Sequence, residues 1–159
     1  MPSITPCLWF DTQALEAAEF YTAVFPRSEI LSVSHYGEGA QRPADMVLSV
    51  EFTLDGKPFV ALNGGPEFTF SEAVSMQIHC ADQAEVDHYW ESLTAQGGEE
   101  SMCGWLKDRY GFSWQVIPRR LAELLADPDP ARARRAMGAM LSMRRILIAE
   151  LEAAADGVG

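Results

Sequence analysis

The sequence predicts an α+β fold of two βαβββ modules that curve a mixed sheet around a cavity, with a helical extension at the C-terminus. Three observations carry this prediction. Two segments read alike, each with an alternating strand, an acidic break at Asp11 or Asp82, and an amphipathic helix bearing paired aromatics, Phe20-Tyr21 and Tyr89-Trp90. Each is followed by further alternating runs separated by tight-turn residues. Beyond residue 120 the period becomes helical.

The first module spans about residues 3–66. Its opening strand runs through Thr5, Pro6, Cys7, Leu8, Trp9 and Phe10 into Asp11, and the helix behind it carries Leu15, Ala18, Phe20, Tyr21, Val24 and Phe25. Ile30 to Tyr36 reads as a strand, and Gly37, Gly39 and Pro43 mark the stretch to Asp45 as a mobile loop. Met46, Leu48, Val50, Phe52 and Leu54 then alternate with Val47, Ser49, Glu51, Thr53 and Asp55, the pattern of a half-buried strand. Asp55-Gly56 supplies a hairpin turn into Lys57 to Asn63.

The second module, about residues 72–118, repeats the order: a strand over 73–80, a helix over 83–95, strand near 100–106, a turn from Asp108 to Gly111, and a last strand from Phe112 to Ile117. The pattern leaves open whether 99–106 and 106–110 are one strand or two. Val86, Tyr89, Trp90 and Leu93 hold the i, i+3, i+4, i+7 positions of one buried helical stripe. Asp82 with Glu85 forms a capping box, and Gly97-Gly98 closes the helix.

Residues 121–159 form the extension to a domain over 1–120. Asp129 and Pro130 start a helix, and residues 131 to about 155 continue as one helix or as two with a break near Met143 to Ile146. Ala133, Met137, Met140, Leu141, Leu147, Ile148 and Leu151 make an apolar stripe longer than a domain of this size covers alone.

Composition excludes several classes. Twelve basic against 23 acidic residues leave a net charge of −11, which repels phosphate backbones and argues against nucleic acid. The basic cluster of Arg132, Arg134, Arg135, Arg144 and Arg145 reads as a solvated or interface face. Three cysteines, Cys7, Cys80 and Cys103, have no CxxC spacing and fit a reducing compartment. No apolar run reaches the roughly 20 residues of a membrane span, so no membrane partner is expected and a cytoplasmic location follows.

Strand parity places the candidate site. With Met76, Ile78 and Cys80 under the second helix, Ser75, Gln77 and His79 face the other way. With Leu8 and Phe10 under the first helix, Thr5, Cys7 and Trp9 do the same. Ala61 with Asn63, and Ser113 with Gln115, belong to the less apolar set of the closing strands. The predicted concave wall is therefore Thr5, Cys7, Trp9, Asn63, Ser75, Gln77, His79 and Gln115, with Cys103 and Trp105 able to join it. His79 is the candidate for proton chemistry. Trp9 and Trp105 suit a flat or apolar ligand, and Trp114 reads as core.

Thr5-Pro6-Cys7-Leu8-Trp9-Phe10, Ala61-Leu62-Asn63-Gly64-Gly65 and the run from Cys103-Gly104-Trp105-Leu106-Lys107-Asp108 to Ser113-Trp114-Gln115 resemble the PhnB-like branch of the vicinal oxygen chelate superfamily. Glyoxalase I, extradiol dioxygenases and the bleomycin and fosfomycin resistance proteins belong to that superfamily, and many PhnB-like members carry the name demethylubiquinone 3-methyltransferase. The similarity extends over nearly the whole chain, tail included. It implies a small-molecule ligand and a homodimer, with the tail stripe as the natural interface.

In metal-dependent relatives, His, Gln or Glu at about Thr5, Ser75, Ala61 or Asn63, and Gln115 hold a divalent ion. Hydroxyls and amides here predict no metal at that site and imply no cofactor. The expected function is small-molecule binding without the usual metal centre, with proton transfer or isomerisation through His79, aided by Gln77 and Gln115, if there is turnover. The alternatives are a non-enzymatic sequestering protein and a metal-dependent lyase or dioxygenase. Methyl transfer finds no support, because no glycine-rich strand-to-helix turn of a Rossmann-type site is present.

Overall fold

The computed structural model describes residues 1–158, which divide into two compact units, Met1–Phe70 and the described residues from Ser71 on. The first contains β1 (Cys7–Phe10), α1 (Ala14–Val24), β2 (Glu29–His35), β3 (Val47–Leu54) and β4 (Lys57–Asn63). The second contains β5 (Ser75–Cys80), α2 (Gln83–Thr94), β6 (Glu99–Glu100), β7 (Trp105–Lys107) and β8 (Ser113–Pro118), followed by α3 (Arg119–Leu125), α4 (Pro130–Leu141) and α5 (Ile148–Ala155). Each unit has a four-stranded mixed sheet, in the orders β1-β4-β3-β2 and β5-β8-β7-β6. In each the first strand runs parallel to the last, and the remaining neighbours are antiparallel.

In the first unit the alternation read for β3 holds: Val50, Phe52 and Leu54 are buried, and α1 packs on β3 and β4 with Ala14, Ala17, Ala18 and Tyr21 inward. Tyr21 stacks on Phe52 with ring centroids 6.4 Å apart. Full burial of side chains of this size stabilises the fold by about 1.5–3 kcal/mol each. Asp55 and Gly56 turn the β3–β4 hairpin with φ of 50° and 73°, the left-handed pair that an Asp-Gly turn supplies.

The stretch read as a mobile loop is a fastened hairpin end. Tyr36 N–H donates to Met46 O and Gly37 N–H to Ala44 O, and Arg42 donates to the backbone oxygens of Asp11 and Asn63. The glycines mark the turns, but the anchoring comes from Arg42 within the stretch, which reaches backbone oxygens distant in sequence.

In the second unit Val86, Tyr89, Trp90 and Leu93 are buried, as their spacing predicts. Asp82 Oδ1 accepts from Glu85 N–H at 2.9 Å, and the Glu85 carboxylate accepts from Ala81 N–H at 2.7 Å, one residue ahead of the usual capping-box partner. The undecided segment resolves into two short strands, β6 and β7, separated by a turn in which Cys103 and Gly104 have φ of 58° and 83°. Trp114 is core, its indole N–H donating to buried Asp108 Oδ2 at 2.9 Å.

The C-terminal segment breaks between α4 and α5, spanning Met143 to Ile146, and it has a helix that the sequence pattern did not separate, α3. Leu121 and Leu124 of α3 join Ala136, Met143, Ile146, Leu151 and Ala155 in a buried cluster, with Met140 packed against it. Of the predicted stripe, Leu151 is buried in this cluster and Met140 packs against it. Met137, Leu141 and Leu147 remain exposed.

The arginine cluster is mostly a set of intramolecular clamps. Arg132 pairs with Asp127 and Asp156, Arg145 with Asp87 and Glu91, and Arg135 donates to the last carbonyls of α5 at Ala154 and Ala155. A cation at a helix C-terminus is also favoured by the helix dipole.

Candidate functional site

Each sheet has one face against its helix and a far face turned away from it, and strand register decides which side chains share the far face. In the second unit the rows run Ser75, Ser113, Lys107, Glu99 and Gln77, Gln115, Trp105, with His79 beside Ile117 at the next step. Gln115 Nε2 donates to the Ser75 hydroxyl at 2.8 Å, and Gln77 Nε2 reaches Gln115 Oε1 at 3.4 Å. Three predicted residues are therefore joined in one chain of hydrogen bonds. The Ser75 proton and the Gln77 carbonyl oxygen are left unused by that chain, one donor and one acceptor.

His79 lies on the same face and is exposed, and among the described residues it makes no hydrogen bond. A general base is normally oriented by a second group on its other ring nitrogen, and none is present here.

In the first unit the far-face rows are Cys7, Val60, Glu51, Ser32 and Trp9, Leu62, Ser49, Ser34. Thr5 is exposed just ahead of β1. The Trp9 indole N–H donates to Gly65 O at 2.9 Å and its ring meets Phe68 edge-on at 5.0 Å. A Cβ on Gly64 would lie 2.4 Å from that ring, so the indole lies directly over glycine backbone that no other residue can replace.

Asn63 corrects the predicted wall. It is paired with Phe10 in the register, so it shares the helix-side face of Leu8 and Ala61 instead of the face of Trp9. Its Oδ1 accepts from Ala14 N–H at 2.8 Å and its Nδ2 donates to Val47 O at 3.0 Å, which makes it the cap of α1. Its backbone oxygen accepts from Tyr36 Oη and Arg42. Arg42 also pairs with Asp11 at 3.1 Å. Tyr36 and Arg42 were missed because nothing in their local pattern signals a contact with residue 63.

Cys103 sits in the β6–β7 turn and not on a strand; its N–H donates to Met143 O at 2.8 Å. Cys7 is exposed, and desolvation nevertheless raises its thiol above the ordinary value. Cys80 is buried, and burial first, then Glu85 and Asp82, push its thiol up to about 12. Neither of these two has the electropositive setting of a reactive cysteine.

The metal-holding corners do not fit a divalent ion. Ala61 and Asn63 face the core, the Ser75 hydroxyl and the Gln115 amide are committed to each other, and Thr5 offers one hydroxyl. Borderline divalent ions need imidazole, thiolate or carboxylate donors. Among the described residues no group of three or more His, Cys, Asp and Glu side chains is placed to hold one.

Two depressions are present in the second unit. One, of about 140 Å³, is lined by Glu72, Glu99, Glu100, Trp105, Lys107 and Ser113, among others, so it overlaps the far face. The other, of about 460 Å³, lies between the start of α2 and α3 and α5, where Arg120 is paired with Glu152 and Asp82 caps α2.

Two βαβββ units, each with a helix-covered and a far sheet face, define a glyoxalase-type α+β fold of the vicinal oxygen chelate class. Solved structures share it: the fosfomycin resistance protein FosX from Listeria monocytogenes matches with a TM-score of 0.54 at 17% identity, over 79% of this chain and 98% of its own. Protein PA1353 from Pseudomonas aeruginosa matches with a TM-score of 0.61 at 19% identity, over 74% of this chain and 98% of its own. The particular family follows from sequence: the model of the 3-demethylubiquinone-9 3-methyltransferase family matches residues 2–117, and the chain belongs to that family. A PhnB protein from Bacillus cereus, named for the same methyltransferase, is 35% identical with a TM-score of 0.67, over 74% of this chain and 99% of its own. No curated protein matches the chain. The family model ends at the last strand, so the likeness does not extend into the tail as the sequence motifs implied. No helix among the described residues is long and apolar enough to cross a membrane.

Proposed function

We propose that this chain binds a small organic molecule on its far sheet faces through side chains alone, without a metal ion. The observation that supports this most is the hydrogen-bonded row of Ser75, Gln115 and Gln77. Exposed amides and hydroxyls on a strand usually stay solvated, whereas here one amide is fixed by its neighbours and presents a defined donor and acceptor. Trp105 in the same row adds aromatic surface.

Binding is favoured over turnover because His79 lacks an orienting partner. Methyl transfer, which the family name states, would call for a methyl-donor site. The strand-to-helix turns Asp11-Thr12-Gln13 and Ala81-Asp82-Gln83 contain no glycine to bring backbone close to such a ligand. Exposed Met137, Leu141 and Leu147 remain the surface for a homodimer.

Molecules that co-purify with the chain, identified by mass spectrometry and titrated back, test the reading. Gln115→Leu is expected to weaken affinity at least tenfold while leaving the unfolding midpoint unchanged, and His79→Ala to leave affinity within twofold. Equal binding by Gln115→Leu would overturn the site, and stoichiometric metal by elemental analysis would overturn the metal-free part.

A further inference from the structure

The 140 Å³ cavity on the second unit's far face is lined by Trp105 together with Ser113 and Glu99, which the proposed site does not use. A single water needs only about 10–15 Å³ on this measure, so the space admits a small organic group. Among its lining residues Ser113 is 0% exposed, and its Oγ has no hydrogen-bond partner. Leaving a buried hydroxyl unpaired costs about 1–3 kcal/mol, so a polar atom lodged in the cavity gains by bonding to this one.

The walls decide which ligand. Lys107 is held by Glu72 at 2.6 Å. Glu100 Oε1 accepts from the Trp90 indole at 2.7 Å, and its Oε2 lies 3.8 Å from Arg144. Glu99, next to Lys107 in the β6–β7 register, has no partner of its own within hydrogen-bond or ion-pair distance among the described residues. A carboxylate that feels Lys107 but makes no hydrogen bond or ion pair, one unpaired hydroxyl and the half-buried ring of Trp105 thus line the same space. An anion would meet an excess of negative charge, and a neutral molecule would gain nothing from Glu99, which is exposed and has Lys107 as its nearby cation. A cation satisfies Glu99 and gains from the indole face.

We infer that this cavity takes the ammonium group of a small organic cation, lodged between Glu99 and Trp105 with a hydrogen bond to Ser113 Oγ. The inference rests on the small-molecule reading above and names the ligand class of that face.

Choline and n-propylammonium serve as probes, with 3,3-dimethylbutan-1-ol as the uncharged isostere of choline, in titrations followed by nuclear magnetic resonance of the Trp105 indole and Ser113 amide. The indole signal is assigned with Trp105→Phe. Saturable shifts with both cations and none with the alcohol are expected, Glu99→Gln weakening the cations at least tenfold. Ser113→Ala is expected to weaken n-propylammonium about fivefold without lowering the unfolding midpoint, since its hydroxyl supports nothing in the fold. Equal response to the alcohol, unchanged affinity in Glu99→Gln, or no saturation with either cation overturns the inference. These failures are separable from failure of the broader reading, which is judged by Gln115→Leu against co-purified ligands and not by the cation probes.

Discussion

The two units start their helices by opposite means. In the first, α1 has no side-chain cap of its own, and its leading N–H is taken by Asn63, 49 residues away at the end of β4. In the second, α2 is capped locally by Asp82 and Glu85. Register explains the difference. Phe10 pairs with Asn63 and Cys80 with Pro118, so the place that holds a long-range cap in one unit holds proline in the other, which has no polar side chain to offer. A repeated fold therefore preserves the position of the helix without preserving what starts it: one unit fastens its helix through tertiary structure, the other through three residues of local sequence.

The largest expected effect follows from that contrast. Asn63→Leu keeps the volume but leaves Ala14 N–H and Val47 O unpaired in the interior, and urea unfolding is expected to show a loss of about 2–4 kcal/mol. Asp82→Ala removes an exposed cap and is expected to cost about 1 kcal/mol. Should the two variants lose equal stability, the distinction between tertiary and local capping fails.

Cys80 sharpens the comparison, because it occupies in the second unit the register place of Phe10 in the first. Its folded thiol is pushed up from 9.0 to about 12, so the unfolded chain gives up that proton first. Its contribution is intact below pH 9 and is lost as pH rises towards 12. A shallower fall in stability across that window in Cys80→Ala than in the parent is the expected result, read as a slope so that any packing cost at neutral pH cancels. The smallest effect is expected for Arg27→Ala, whose exposed pair with Asp55 lies at the hairpin turn and leaves the unfolding midpoint unmoved.

Elements whose signal is periodic were legible in the sequence. The alternation of β3, the Val86-Tyr89-Trp90-Leu93 stripe and the Asp55-Gly56 turn each rest on residues within a few positions of one another, where local geometry dictates the pattern. The far-face row of Ser75, Gln77 and Gln115 was legible for the same reason, since strand parity alone orders it. Asn63 was misplaced because the strands of a pair must be aligned before parity can be shared, and one step of register moves a side chain to the other face. The tail's apolar residues were visible, but α3, which shares a buried cluster with Leu151, begins directly at the end of β8 without a side-chain cap to announce it. Ser113 and Glu99 meet only through β7, whose boundaries the sequence left undecided.

The segment after β8 lies outside the family match, yet it is stitched to the unit that precedes it. Cys103 and Gly104 donate to the backbone oxygens of Met143 and Arg144, and the Gln83 amide grips Ile146 O and Ile148 N–H as a second strand would. Shortening the chain to the length of its relatives would strip polar partners from the β6–β7 turn and bare the greasy side of α3. Such a truncate is expected to clump or to be degraded, and affinity tags belong at the amino end.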